Sequence, residues 1–181
     1  MIKNEVASHL LLTFIYFFIA SLFKGFNLDL IWLWLGAFFG TFLLDLDHLV
    51  YWFLTHPEKE DSVQAKSLYK AGNCKALYRL LQDYHHTHVR LIFHTATFQI
   101  ILFVLAFYII SAGGSVFGSA LVISVNLHLL KDEWFDYFNK GKAGLIDWLF
   151  WQVKGLPKEK YLDIYLLGAT LFFLVLTIFW L

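Results

Sequence analysis

Hydrophobic positions run almost unbroken through five stretches of the chain, residues 6–23, 30–54, 91–112, 115–130 and 164–181, and polar residues collect between them. As a helix, each stretch is long enough, or nearly so, to cross a hydrocarbon core of about 30 Å, with 115–130 the shortest. A membrane barrel would alternate apolar and polar positions over segments of about ten residues, and the sequence shows no such alternation. Lipid offers backbone groups no partner outside a helix or a closed barrel. The pattern therefore predicts an all-α integral membrane bundle of about five transmembrane helices, forming one domain over residues 1–181. Between the spans, residues 62–84 set Leu77, Leu80, Leu81 and Tyr84 on one helical face, and residues 144–153 set Trp148 and Trp151 beside Leu145, Leu149 and Phe150. Both segments read as interfacial helices, or equally as ordinary amphipathic helices lying on the bundle.

Composition sharpens this picture. Hydrophobic residues make up 59% of the 181 and charged residues only 15%, more apolar matter than a soluble domain of this size would bury. Lys3 precedes the first span as in a signal peptide, but no small-x-small cleavage site follows, so the span is expected to be retained. The single cysteine, Cys74, excludes an internal disulfide and a cysteine zinc knuckle. Of the 14 Lys and Arg residues, all but Lys24 fall on the side of the N-terminus when five spans alternate. The positive-inside rule then predicts a multi-pass protein of the inner membrane with a cytoplasmic N-terminus and both long loops cytoplasmic. The two outer connections, 24–29 and 111–115, are tight turns. A formal net charge of zero, with no basic stripe, no Gly-rich phosphate loop and no serine nucleophile elbow, argues against nucleic-acid binding and leaves membrane lipid as the expected partner.

Against this apolar background the polar residues within the spans stand out. His9 lies one turn into the first span, Asp45, Asp47 and His48 fall in the cytoplasmic third of the second, Arg90 and His94 open the third, and His128 and Asp132 close the fourth. Topology puts all of them at one membrane level. An ionisable residue in a span costs roughly 2.5 to 3.5 kcal/mol when central and less near the interface, unless it is paired or faces water. On a helix, Asp45 and His48 lie about 60° apart and His128 and Asp132 about 40° apart, so each pair projects from one face and can grip a cation. Asp47 lies about 100° beyond His48 and reaches the cluster only at a seam of the bundle. Imidazole with carboxylate is the ligand set of zinc, and of iron or manganese when more oxygens join. Arg90, one turn before His94, suits a phosphate.

Each element also has a plainer explanation. Asp45 with His48 could be a hydrogen-bonded pair that locks two helices, His128 with Asp132 a helix end followed by solvated charge, and His9 an interfacial histidine. His85, His86 and His88 in YHHTHVR read as surface histidines at a loop end that could fold in toward the site. Glu133 and Asp136 are not expected to belong to it.

Four blocks in order along the chain resemble the predicted membrane-bound metal-dependent hydrolases (YdjM-like), a family similar in pattern to zinc-dependent phospholipase C. They are SHLLLTF around His9, LDLDH where the family has Pro-Asp-x-Asp-His, VRLIFHT where it has His-Arg-Gly-x-Thr-His-Ser, and SVNLHLLKD where it has Gly-x-x-x-His-x-x-x-Asp. The resemblance implies a hydrolase acting on a phosphate ester, with His9, Asp45, Asp47, His48, His94, His128 and Asp132 as metal ligands and Arg90 beside them. Leu44 replaces the family's proline, which should let the helix run straighter through Asp45. Val89 replaces its first histidine, Leu91 its glycine and Phe93 its threonine.

The expected mechanism is hydrolysis at the inner membrane face, assisted by one to three divalent ions, zinc foremost. Asp47 would act as general base or orient the water, and Arg90 would steady the charge developing on the phosphate. A phospholipid or lipid-linked phosphate, arriving laterally from the leaflet, is favoured over a soluble nucleotide. Two other classes remain. A di-iron oxidative enzyme would need several multi-histidine boxes, whereas HHTH is the one such run; the other class is a non-catalytic or divergent bundle with a structural metal site, or a metal transporter, whose path would need polar groups continuing to the far side.

Overall fold

A computed structural model describes residues 3–88 and 90–181, apart from the side chains of residues 3–5 and 86, so Val89 and the His86 ring lie outside the described residues. Among the described residues there are nine α-helices and no strand: α1 (Lys3–Lys24), α2 (Asp29–Leu43), α3 (Leu46–Val50), α4 (Glu60–Lys70), α5 (Cys74–Tyr84), α6 (Ala96–Ser111), α7 (Val116–Asn139), α8 (Gly141–Leu149) and α9 (Lys158–Trp180). The all-α class is as expected. Val6–Lys24, Asp29–Thr55 and Lys158–Trp180 are each long and apolar enough to cross a membrane.

The other two expected spans look different. At 1.5 Å per residue the 16 residues of α6 cover about 24 Å, short of a hydrocarbon core. It starts at Ala96 rather than at residue 91, because the Thr95 hydroxyl caps it by accepting the Phe98 N–H at 3.2 Å. Leu91–Thr95 are therefore not helical. Helix α7 is long enough, but from its middle onward it carries Asn126, His128, Lys131, Asp132, Glu133 and Asp136.

These side chains are sheltered because α7 is the central helix, in contact with α1, α2, α6, α8 and α9. Its tightest neighbour is α2, where Gly36 and Gly40 recur at four residues and let the backbones touch. A methyl group on Gly36 would sit 2.3 Å from the Phe117 carbonyl oxygen, and one on Gly40 would sit 2.5 Å from that of Leu121. Small residues in this spacing are how membrane helices approach without a hydrophobic driving force. Hydroxyls add polar contact at the same seam. Thr41 lies 3.0 Å from the Thr13 hydroxyl and 3.2 Å from that of Ser124, and Ser124 donates to the Ala37 carbonyl at 2.8 Å.

The core beside this seam is apolar, with Phe17, Leu33, Ala106, Ile123 and Phe173 buried. At the far end Lys24 donates to the Trp180 carbonyl at 2.6 Å, tying α1 to the last turn of α9 where free carbonyls attract a cation. Segment 62–84 divides into two helices at Gly72, whose φ of 66° is left-handed. Leu80 is buried against Tyr51, Trp52 and Ala65, with Leu77, Leu81 and Tyr84 packed around them. Leu145 and Leu149 of α8 are likewise buried, and Trp151 donates to the Leu91 carbonyl at 3.0 Å. Both amphipathic segments thus lay their apolar faces on the bundle.

Candidate metal centre

The site begins with an interruption in the second apolar stretch. Instead of running straight through Asp45, the helix tightens: the amides of Asp45, Asp47 and His48 bond three residues back, to Phe42, Leu44 and Asp45. This corrects the expectation attached to Leu44, since the turn breaks without proline. One consequence is a free carbonyl at Thr41, whose regular partner would have been the Asp45 amide. His128 Nδ1 takes it, at 2.6 Å. A carbonyl only accepts, so Nδ1 carries the proton and Nε2 is left with a lone pair.

That lone pair meets carboxylates. His128 Nε2 lies 3.1 Å from Asp132 Oδ2 and 3.9 Å from Asp45 Oδ1, with His128 itself buried. His9 stacks on His128 at 3.8 Å between ring centroids and brings its Nε2 to 3.0 Å from the other oxygen of Asp132. Such an arrangement requires a positive charge: a proton on the imidazole, a neighbouring cation or a metal ion. Lys131 supplies one, with Nζ 2.9 Å from His9 Nε2 and 3.3 Å from Asp132.

The rings continue as a row. His94 lies 6.1 Å from His128, His48 lies 5.9 Å from His94, and His85 lies 4.2 Å from His48. Three overlapping trios, His9/His128/Asp132, Asp45/His94/His128 and Asp45/His48/His85, each place one potential ligand atom per residue within 4.8 Å of the others. Asp45 and His128 are shared between trios.

His48 is oriented from behind. Asp61, at the start of α4, accepts His88 Nε2–H at 2.7 Å and Trp52 Nε1–H at 2.8 Å. Burial alone would raise the Asp61 carboxyl; the hydrogen bonds from His88 and Trp52 outweigh it and hold the group below the ordinary carboxylate range. Burial pushes the His88 imidazole below its ordinary value against the pull of Asp61, which favours the neutral ring. A neutral His88 with its proton on Nε2 offers a lone pair at Nδ1, and His48 Nδ1 lies 2.7 Å away. His48 therefore donates from Nδ1 and keeps a lone pair on Nε2. That atom is buried and has no hydrogen-bond partner among the described residues. An orphaned imidazole nitrogen beside a carboxylate, with its tautomer fixed by an outer hydrogen bond, fits a metal ligand.

Of the expected ligands, His9, Asp45, His48, His94, His128 and Asp132 come together. Asp47 does not join the trios. Its Oδ2 accepts the Phe93 amide at 2.5 Å and lies 3.3 Å from His94 Nδ1, so it orients His94 as Asp61 and His88 orient His48. Arg90 is exposed with a left-handed φ of 64° in the non-helical approach to α6, so it shares no helical face with His94. The loop-end reading of the histidine run is corrected at two positions: His88 is buried, and His85 is half-buried beside Asp45. Asp61 lies in a loop helix, outside every recognisable block of the sequence. Glu133 instead accepts from Gln99 at 3.2 Å, and Asp136 from Trp148 and Lys140 at 2.8 Å each.

Two cavities reach the cluster. One, of about 290 Å³, is bordered by His48, His94, Asp132, Asp136 and Lys140; the other, of about 270 Å³, by His9, Asp45 and apolar side chains. His85 lines both. Comparison with family models, curated proteins and solved structures gives no match to this chain.

Proposed function

We propose that the protein is a membrane-embedded, metal-dependent hydrolase that cleaves a phosphate ester of a lipid or lipid-linked substrate at the cytoplasmic face of the inner membrane. The observation that carries this reading is His48 Nε2, a buried nitrogen without a hydrogen-bond partner among the described residues, left with its lone pair by the Asp61–His88 relay on a ring grouped with Asp45 and His85. The similarity of LDLDH, VRLIFHT and SVNLHLLKD to the YdjM-like blocks supports it. So does the distribution of Lys and Arg, which puts the cluster near the inner leaflet if α6 and α7 complete five spans.

His9, His128 and Asp132 form one end of the ligand set, Asp45 with His94 the middle and His48 with His85 the other end. Nitrogen and carboxylate donors of this kind suit zinc, with manganese or iron as alternatives. A divalent cation bound there supplies hydroxide at neutral pH and polarises the phosphoryl group.

The chain's own residues do the rest. Asp47 and the Phe93 amide fix the His94 ring, Thr41 fixes His128, and Asp61 through His88 fixes His48. Lys131 adds a fixed positive charge at the His9 end. Arg90, exposed on the loop leading to His94, draws an anionic substrate toward the cluster by long-range attraction. Asp45, half-buried and lining the second cavity, would take a proton from the attacking water in place of Asp47.

The test is hydrolysis of phospholipid and alkyl phosphate esters by protein in lipid bilayers, before and after chelation, with zinc or manganese returned. Activity that is lost on chelation and restored by metal supports the reading. If every phosphate ester tried remains intact with a metal-loaded protein, the hydrolase assignment falls.

A further inference from the structure

The second cavity has a chemistry of its own. Val6, Phe42, Leu46, Leu49 and Leu81 line it with Thr41, Tyr78 and Gln82, and His9, Asp45 and His85 of the cluster border it. Val6 and Phe42 belong to helices long and apolar enough to cross a membrane, while Leu46 and Leu49 remain exposed on the outer side of α3. The cavity thus runs from the apolar flank of the bundle to the cluster. Most of its lining surface is apolar, so ordered water is a poor filler along it. An occupant that satisfies both ends carries hydrocarbon along the walls and an anionic group at the histidines.

We propose that this cavity binds the hydrocarbon chain of an amphiphile whose phosphate head meets the His/Asp cluster, the chain lying between α1, α3 and α5. The proposal rests on the hydrolase reading and narrows its substrate class: hydrocarbon and phosphate both enter from the lipid side.

The test uses butyl-, octyl- and dodecylphosphonate, which resist hydrolysis, binding to the full chain loaded with zinc in detergent. Wild type is compared with Leu49→Trp at the rim and Leu81→Trp in the wall. Partition of the longer probes into detergent is common to all three proteins and cancels. The filled cavity should weaken dodecylphosphonate about tenfold, at about fourfold per methylene displaced, and leave butylphosphonate within about twofold. Zinc content reports the fold of each variant and should not change. If both variants retain zinc and treat long and short chains as wild type does, the chain site is overturned while the metal-centre reading stands. Protein that holds no metal yet shows the chain-length discrimination keeps the cavity and removes the hydrolase reading; loss of both removes both.

Discussion

His48 and His88 face each other through their Nδ1 atoms at 2.7 Å, with His88 anchored in turn on Asp61. Two like nitrogens this close need one proton between them. Because Asp61 already holds the Nε2 proton of His88, the shared proton belongs to His48, whose Nε2 keeps its lone pair. A residue in a loop helix therefore sets the chemistry of one in a membrane helix.

Asp61→Asn tests that relay. The amide is a weaker acceptor for His88, so the His48 tautomer is no longer enforced. Zinc affinity should fall about 10- to 100-fold, as for other outer partners of metal-binding histidines, while helicity stays the same. Competition with a fluorescent zinc chelator reads the affinity. An unchanged affinity would mean that the relay is only a packing contact.

The contact of α2 with α7 has a separate consequence. Gly40→Leu forces a side chain against the Leu121 carbonyl and the Ser124 side chain, and overpacking of this kind costs about 1–3 kcal/mol or more. Gly168→Leu on α9 meets nothing within 4 Å and is the matched control. Thermal unfolding in detergent should show Gly40→Leu well below wild type and Gly168→Leu close to it. Because Thr41 and Ser124 lie at the same seam, Gly40→Leu should also loosen metal binding through His128.

Cys74 makes the topology measurable without mutation. It is the only cysteine in the chain and is exposed at the start of α5. A membrane-impermeant maleimide should leave it unlabelled in intact spheroplasts and label it in inverted vesicles. Labelling from the outside would reverse the orientation taken from Lys and Arg.

Much of the site is legible in the sequence because helical spacing is local. His128 and Asp132 share a face of α7 by spacing alone, whereas Asp45 meets His48 across the tight turn that opens α3. The Asp61–His88 relay depends instead on how α4 and the loop after α5 fold back, which no period reveals. Asp47 departs from the expected ligand set because its carboxylate accepts the Phe93 amide, from the non-helical stretch before α6 that no period reveals. Two local signals in the sequence bear on this: Gly36-x-x-x-Gly40, which marks a close helix contact, and Thr95, whose capping hydroxyl ends the non-helical stretch through Arg90. Once Arg90 leaves the helix, its spacing from His94 carries no information about a shared face.

Metal stoichiometry is the most direct test of the central claim. Wild type and His128→Ala would be purified side by side in mild detergent, and bound zinc, manganese and iron measured by elemental mass spectrometry. His128 is shared by two of the three trios, so the account predicts stoichiometric transition metal in wild type and a clear loss in His128→Ala. A well-folded wild type that holds no transition metal, even after incubation with zinc, would contradict it; Lys131 and protonated histidines would then balance the buried carboxylates.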